Sequence, residues 1–278
     1  MPNIGLILFS AGTAAFLLAA ASFALFRRKI LSPSSAVSAA LAFAAWQAVL
    51  AWNSVDALPE VVLVAAEILR PAVLLFYLHR TLKAAAGSGF TPSALAAATL
   101  MSVAIPAAIW FLYPVFGAAA DGQGFTEQRS WIGIFIGVGM LIALEQAFRN
   151  AASQFALLRF ACLALAITAL YDLYLFADTL IFERLDINQW RARGGVNAIA
   201  ALATALVIGR SRATNFLSVS RNVVFYTTSF TAAGVFLLAI SLSGYAIRTY
   251  GGSWGSVLQL MLFFAAVLWS VVYDTFYA

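Results

Sequence analysis

The 278 residues hold a single histidine, a single cysteine and only two lysines. Each shortage closes off a class of chemistry. One histidine, His79, cannot build an H-E-x-x-H site or a two-histidine metal centre. One cysteine, Cys162, gives neither a C-x-x-C pair nor an internal disulfide, and within an apolar run it reads as a small buried hydrophobe. Lys29 and Lys83 fall outside any G-x-x-x-x-G-K-[ST] run, so there is no Gly-rich phosphate cradle. No metal and no cofactor is expected. Charge is scarce as well: 10% of residues are charged, against roughly a quarter in an ordinary soluble domain.

What fills the space is apolar. Hydrophobic residues make up 63% of the chain, and the mean hydropathy of +0.93 is spread along its whole length. That pattern predicts an all-α, polytopic transmembrane bundle with the lipid bilayer as its main partner, rather than a soluble domain on one anchor. Nine apolar segments can be marked against the roughly 20 residues that a spanning helix needs: 4–26, 34–53, 60–82, 92–116, 131–148, 154–182, 193–209, 222–248 and 254–277. The first lacks a basic stretch before it and is followed by Arg27-Arg28-Lys29, the reverse of a cleavable signal peptide, so it is read as a retained helix.

Basic residues set the orientation. If residues 27–29 are cytoplasmic, that side also receives Arg80, Lys83, Arg149, Arg159, Arg210, Arg212 and Arg221. The opposite side receives Arg129, Arg184, Arg191, Arg193 and Arg248, together with most of the loop carboxylates. The positive-inside rule then predicts the N-terminus outside and, with an odd span count, the C-terminus inside. Scattered singly at segment ends, these residues do not form a nucleic-acid stripe. The polar run SRATNFLSVSR divides the chain into a seven-helix module at 1–210, a cytoplasmic connection at 211–221 and a two-helix hairpin at 222–278. The last helix ends at Ala278 without a basic flank, which reads as a chain continuing into a cytoplasmic region.

Gly251-Gly252-Ser253-Trp254-Gly255 satisfies the G-x-S-x-G pattern of a serine hydrolase elbow. The predicted topology puts Ser253 in an outer turn and His79, the sole available base, at a cytoplasmic helix end. About 30 Å of hydrocarbon separates them. The run is therefore read as a Gly-rich turn with Trp254 at the interface, and no catalytic residue is assigned.

Charges inside the apolar segments are more informative, because each costs at least about 2.5 to 3.5 kcal/mol unless paired or wet. In EILRP, Glu67 and Arg70 are three apart on one helical face, and Pro71 withholds a donor from the carbonyl of Glu67. Two readings stand: a self-neutralising pair at a kink, or a ligand or proton site. In ALYDLYLFADTLIFERLDINQWRARGG, Asp172 and Asp178 lie about 9 Å apart along one helix and about 120° apart around it. Tyr171, Tyr174 and Asp178 form a stripe, while Arg191 and Arg193 open the next helix at similar depth. Arg-to-Asp pairing between the sixth and seventh helices is expected, either as structure or as an aromatic, charged pocket facing outward. Gly133 and Gly137 form a G-x-x-x-G that fits an internal helix contact or a homodimer seam. Glu145 and Arg149 are spaced for an i,i+4 salt bridge.

The strings EQAFRN (145–150), YDLYLFAD (171–178), WRARGGVNA (190–198), SRNVVFYTTSF (220–230) and GYAIRTYGGSWG (244–255) resemble the membrane region of the PEP-CTERM/exosortase-associated sensor histidine kinases, the PrsK type of the XrtA system. The resemblance covers about 145–256; residues 1–144 match only in hydropathy. It implies the multi-pass signal-input region of a two-component receptor in a bacterial inner membrane, linked to exopolysaccharide and PEP-CTERM protein sorting. In that family a cytoplasmic GAF domain, a histidine-bearing dimerisation helix and an ATPase domain follow the membrane region, and a response regulator is the downstream partner. These 278 residues carry no phospho-acceptor histidine box and no ATP-binding domain, so kinase activity is not assigned to them; His79 is read as an interfacial residue. On this view Glu67, Arg70, Tyr171, Asp172, Tyr174, Asp178, Arg191 and Arg193 are the candidate ligand-sensing residues. A secondary transporter or permease using the same charges is the alternative.

Overall fold

The computed structural model describes residues 3–27, 30, 32–86, 93–116, 123–150, 156–182 and 184–210. Their regular structure is all helical: α1 (Ile4–Leu25), α2 (Pro33–Asn53), α3 (Glu60–Ala86), α4 (Ser93–Thr99), a π-helical turn (Leu100–Ala104), α5 (Ile105–Phe116), α6 (Gln123–Asn150), α7 (Ala156–Phe182) and α8 (Ile187–Arg210). Seven of these stretches are long and apolar enough to cross a membrane, with α4, the π turn and α5 acting as one. The chain is thus a multi-span α-helical membrane bundle. The two further spans expected at 222–248 and 254–277, the connection at 211–221 and the GGSWG turn lie outside the described residues.

Large apolar side chains face outward where lipid would lie. Phe111, Ile199 and Leu206 are 73%, 71% and 59% exposed, whereas Asn197, two residues from Ile199, is fully buried. In water that arrangement would leave a costly apolar surface; in a bilayer it places polar groups away from hydrocarbon.

The helix starts explain the register. Asn3 caps α1 by accepting from the backbone N–H of Leu6 at 3.2 Å, and its own side-chain amide donates to the carbonyl of Ser54 at the end of α2. Pro33 opens α2, where a missing N–H is harmless. Asp186 caps α8, its carboxylate accepting from the N–H of Asn188 at 2.7 Å. This cap corrects the expected start of the seventh span: the helix begins at Ile187, not near 193. Arg191 and Arg193 are therefore inside the helix, not on its flank. The fifth span is also longer than marked, running from Gln123 to Asn150.

Glycines set the closest helix approaches. A Cβ on Gly194 would lie 2.8 Å from the backbone of Leu8 and Phe9, so α8 and α1 meet backbone to backbone there. A Cβ on Gly133 would collide with the Phe176 ring, and one on Gly137 would press on Leu173. The G-x-x-x-G seam is therefore filled internally by α7. At the opposite face of α6, Gly139 admits the backbone around Ala98 and Ser102, where the π turn lies. The i,i+4 pair at the end of α6 forms, with Arg149 3.4 Å from Glu145.

Candidate functional site: a buried four-charge cluster

Helices α3, α7 and α8 each send charge into the same point of the interior. Arg193, from α8, is fully buried and donates four hydrogen bonds through its guanidinium. Nε and Nη2 reach the two carboxylate oxygens of Asp172 on α7, at 2.6 and 2.9 Å. Nη1 and Nη2 reach the two oxygens of Glu67 on α3, at 2.6 and 3.0 Å. Arg70 closes the group: its Nη1 donates to Asp172 at 2.8 Å, and its Nη2 stands 3.7 Å from Glu67. Two guanidiniums and two carboxylates cancel. Bidentate, charge-assisted geometry is what allows such charges to be held in a low-dielectric interior.

Aromatic faces close the cluster. The guanidinium carbons of Arg70 and Arg193 sit 4.1 and 4.7 Å from the ring centre of Trp46 on α2. Trp190 and Phe176 lie 5.1 and 5.2 Å from Arg193 on other sides. Desolvated cation–π contacts of this kind contribute about 2 kcal/mol or more. Gly194 positions the group, because the tight approach of α8 to α1 also brings Trp190 edge-on to Phe9 at 6.4 Å. Asn197, one turn below Arg193, donates to the Arg193 carbonyl at 2.8 Å.

Four of the eight candidate residues, Glu67, Arg70, Asp172 and Arg193, come together. The other four do not join them. Arg191 is two residues from Arg193, about 200° around the helix, and it lies over Gly5 of α1. Asp178, about 120° from Asp172, is half-buried and forms no ion pair among the described residues. Tyr174 is 46% exposed, so the stripe it shares with Tyr171 and Asp178 turns away from the cluster. Tyr171 instead ties α7 to α8 by donating from its hydroxyl to the carbonyl of Gln189 at 2.8 Å.

Trp46, Phe176, Trp190 and Asn197 were missed as site residues by sequence reasoning. The signal for one of them was available: Asn197, like Gln47 on α2, is an amide inside an apolar span, and both are fully buried. The side-chain amide of Gln47 has no hydrogen-bond partner among the described residues, and neither has Nε of Arg70, Nε1 of Trp46 or Oδ1 of Asn197. No group of three or more metal-ligating side chains occurs among the described residues.

A second polar site lies where α3 and α6 begin and α7 ends. Arg129 of α6 stands 3.7 Å from Glu60 of α3 and 4.5 Å from the ring centre of Trp190. The two residues help to line a cavity of about 110 Å³, with Phe176, Thr179 and Leu185 among its other walls. Trp190 and Phe176 thus separate this cavity from the buried cluster.

Comparison of the chain with protein-family models, with curated proteins and with solved structures gives no match.

Proposed function

We propose that this chain is the signal-input region of a bacterial two-component histidine kinase of the inner membrane, linked to exopolysaccharide and PEP-CTERM protein sorting. The observation that carries the reading is a coincidence of sequence and geometry. Asp172 stands in YDLYLFAD and Arg193 in WRARGGVNA, two of the strings that resemble that kinase family, and these residues form the side-on bidentate pair at the centre of the bundle. Catalysis belongs to a cytoplasmic region beyond this chain, which would pass phosphate to a response regulator.

On this reading the cluster is a lock between α3, α7 and α8. Signal reaches the cytoplasm only if the stimulus binds one of two helix arrangements better than the other. The locked arrangement is the one in which all four charges are paired. Tyr171, Tyr174, Asp178 and Arg191, on the partly exposed faces of α7 and α8, form the rim through which a stimulus would reach it. The positive-inside count supports an external N-terminus. A homodimer, which the kinase family implies, would use a surface other than the Gly133/Gly137 seam, since α7 occupies that one.

The test is to join the chain to its cytoplasmic kinase region and measure autophosphorylation in membrane vesicles. Exchanging the charges, Arg193→Asp with Asp172→Arg, should shift basal phosphorylation less than either substitution alone. If single and double variants all keep the wild-type level at normal expression, the lock reading fails. Transport by the same charges is the second reading, supported by their depth inside three spans. It is weaker because Asp172 and Glu67 are both already engaged by guanidiniums. Substrate-dependent flux in proteoliposomes would reverse the preference.

A further inference from the structure

We infer that the groove between α3 and the α4 span is a binding site for one anionic phospholipid, with an acyl chain in the groove and the phosphate at Arg80 and Lys83. The groove encloses about 380 Å³. One wall is the α3 face that carries Ala72, Phe76 and His79; the other is Ala96, Thr99 and Val103, which run from α4 into the π-helical turn. Ala98 and Ser102, on the far side of α4, are fully buried and lie against Gly139 of α6. Ala96 and Thr99, by contrast, are exposed. The short side chains at 72, 96 and 99 leave the space between the two helices unfilled, where lipid would lie. It is more than twice the roughly 150 Å³ that admits benzene, which is room for a stretch of hydrocarbon chain.

A charged end distinguishes this groove from ordinary lipid-facing surface. Phe76 lines the groove and is 53% exposed, and the guanidinium carbon of Arg80 lies 5.3 Å from the centre of its ring. The cation therefore stands at the end of the groove and not elsewhere around α3. Lys83 follows three residues later on the same face, exposed and nearer the helix end. Neither Arg80 nor Lys83 forms an ion pair among the described residues. The facing span, Ser93 to Phe116, contributes no charged residue, and the nearest carboxylate on α3 is Glu67, about 20 Å from Arg80 along the axis. Glu145 of α6 is already paired with Arg149. Basic side chains lay their stems along apolar surface and hold their charges at the level of lipid headgroups, and basic pockets between spans take lipid phosphates. Two cations without a counter-charge, beside an apolar slot, are complementary to a phosphate that is joined to hydrocarbon. A soluble anion would match only the cations, and a lipid of no net charge only the slot.

This site does not depend on the signalling reading. The purified 278-residue protein in detergent micelles is mixed with equal amounts of phosphatidylglycerol and phosphatidylcholine of identical acyl chains, and the lipid retained is counted by native mass spectrometry. One phosphatidylglycerol per chain is expected, preferred over phosphatidylcholine about tenfold. Arg80→Gln with Lys83→Gln, both at exposed positions, should bring the preference to within about twofold. Ala96→Phe alters no charge but fills the groove, and in protein of unchanged helicity it should lose the retained lipid. Ile199→Phe, on the exposed face of α8, should keep it. The inference is overturned if wild type retains the two lipids equally, or if the preference survives the double Gln variant. It is equally overturned if folded Ala96→Phe retains lipid like wild type, since charge without the groove would then suffice, or if Ile199→Phe loses it. Release of the lipid by about 10 mM glycerol phosphate would also overturn it, because the site would then be one for a soluble phosphate.

Discussion

Replacing Arg193 by leucine leaves two buried carboxylates, Glu67 and Asp172, with only Arg70 between them. The perturbation removes four hydrogen bonds of 2.6 to 3.0 Å and one of two positive charges. Summing four charge-assisted bonds would overstate the loss, since the remaining groups reorganise and Arg70 already holds Asp172 at 2.8 Å. What persists is one uncompensated negative charge, in a space where Glu67 and Asp172 are 4% and 1% exposed. Breaking a buried pair by deleting one partner costs about 3 to 5 kcal/mol, and that is the expected loss here.

The charge argument makes a sharper claim when Asp172 is removed as well. The double variant Arg193→Leu/Asp172→Leu leaves Glu67 and Arg70, 3.7 Å apart and neutral in sum. It should lie within about 2 kcal/mol of wild type, because well-packed apolar replacements of buried ion pairs are often neutral. Equilibrium unfolding in mixed micelles, followed by circular dichroism, measures all four corners of the cycle. A coupling energy near zero, with the double variant as unstable as the two single losses added, would refute the claim that net charge in the cluster governs its stability. Arg193→Lys, which keeps charge but loses the side-on fork, should fall between wild type and Arg193→Leu.

Three further outcomes follow from the geometry, all read by the same unfolding measurement. Gly194→Ala should cost about 1 to 3 kcal/mol, because its Cβ would press on the rigid backbone of Leu8 and Phe9 at 2.8 Å; Gly195→Ala, whose Cβ meets only the Leu8 side chain at 3.5 Å, should be nearly silent. Gln47→Met should be neutral or stabilising by about 1 kcal/mol, since it removes a buried amide that has no hydrogen-bond partner among the described residues. Asp178→Asn and Arg191→Gln should each stay within about 0.5 kcal/mol of wild type, and a larger loss would show that these residues carry pairing the geometry does not assign to them.

How much of this could be read from the sequence depends on the scale. Helical class and the spans between Ile4 and Ile208 follow from hydropathy, because an apolar run of about 20 residues has one low-cost conformation in lipid. The pairing of Glu67 with Arg70, and of an arginine near the start of α8 with Asp172, follows from the cost of intramembrane charge. Joining the two pairs into one cluster does not follow from local spacing, since Arg193 and Glu67 are 126 residues apart. Periodicity could have excluded Arg191 once Arg193 was known to point inward, but which of the two points inward depends on where α8 begins. Asp186 decides that by capping the helix at Ile187, and the apolar count alone placed the start six residues too late. Trp46 was illegible for a different reason: in an alanine-rich span an aromatic residue reads as lipid-facing or core, and only the tertiary packing that gathers α2, α3 and α8 puts it beneath two guanidiniums.

Arg193 and Arg129 lie on either side of one aromatic layer. Arg193 spends its Nε and Nη2 edge on an internal carboxylate, and the result is a neutral, closed junction of three helices. Arg129 stands beside a cavity, with its Nη1 3.7 Å from Glu60. The two are separated by the thickness of shared aromatic side chains, for Trp190 touches both guanidiniums, at 4.5 Å from Arg129 and 5.1 Å from Arg193, and Phe176 both lines the cavity and flanks Arg193. Because Trp190 is carried on α8 and Phe176 on α7, any displacement of these rings acts on the two helices that Arg193 and Asp172 join. The shortest physical route from the Glu60–Arg129 pair to the buried cluster is therefore a single layer of aromatic packing.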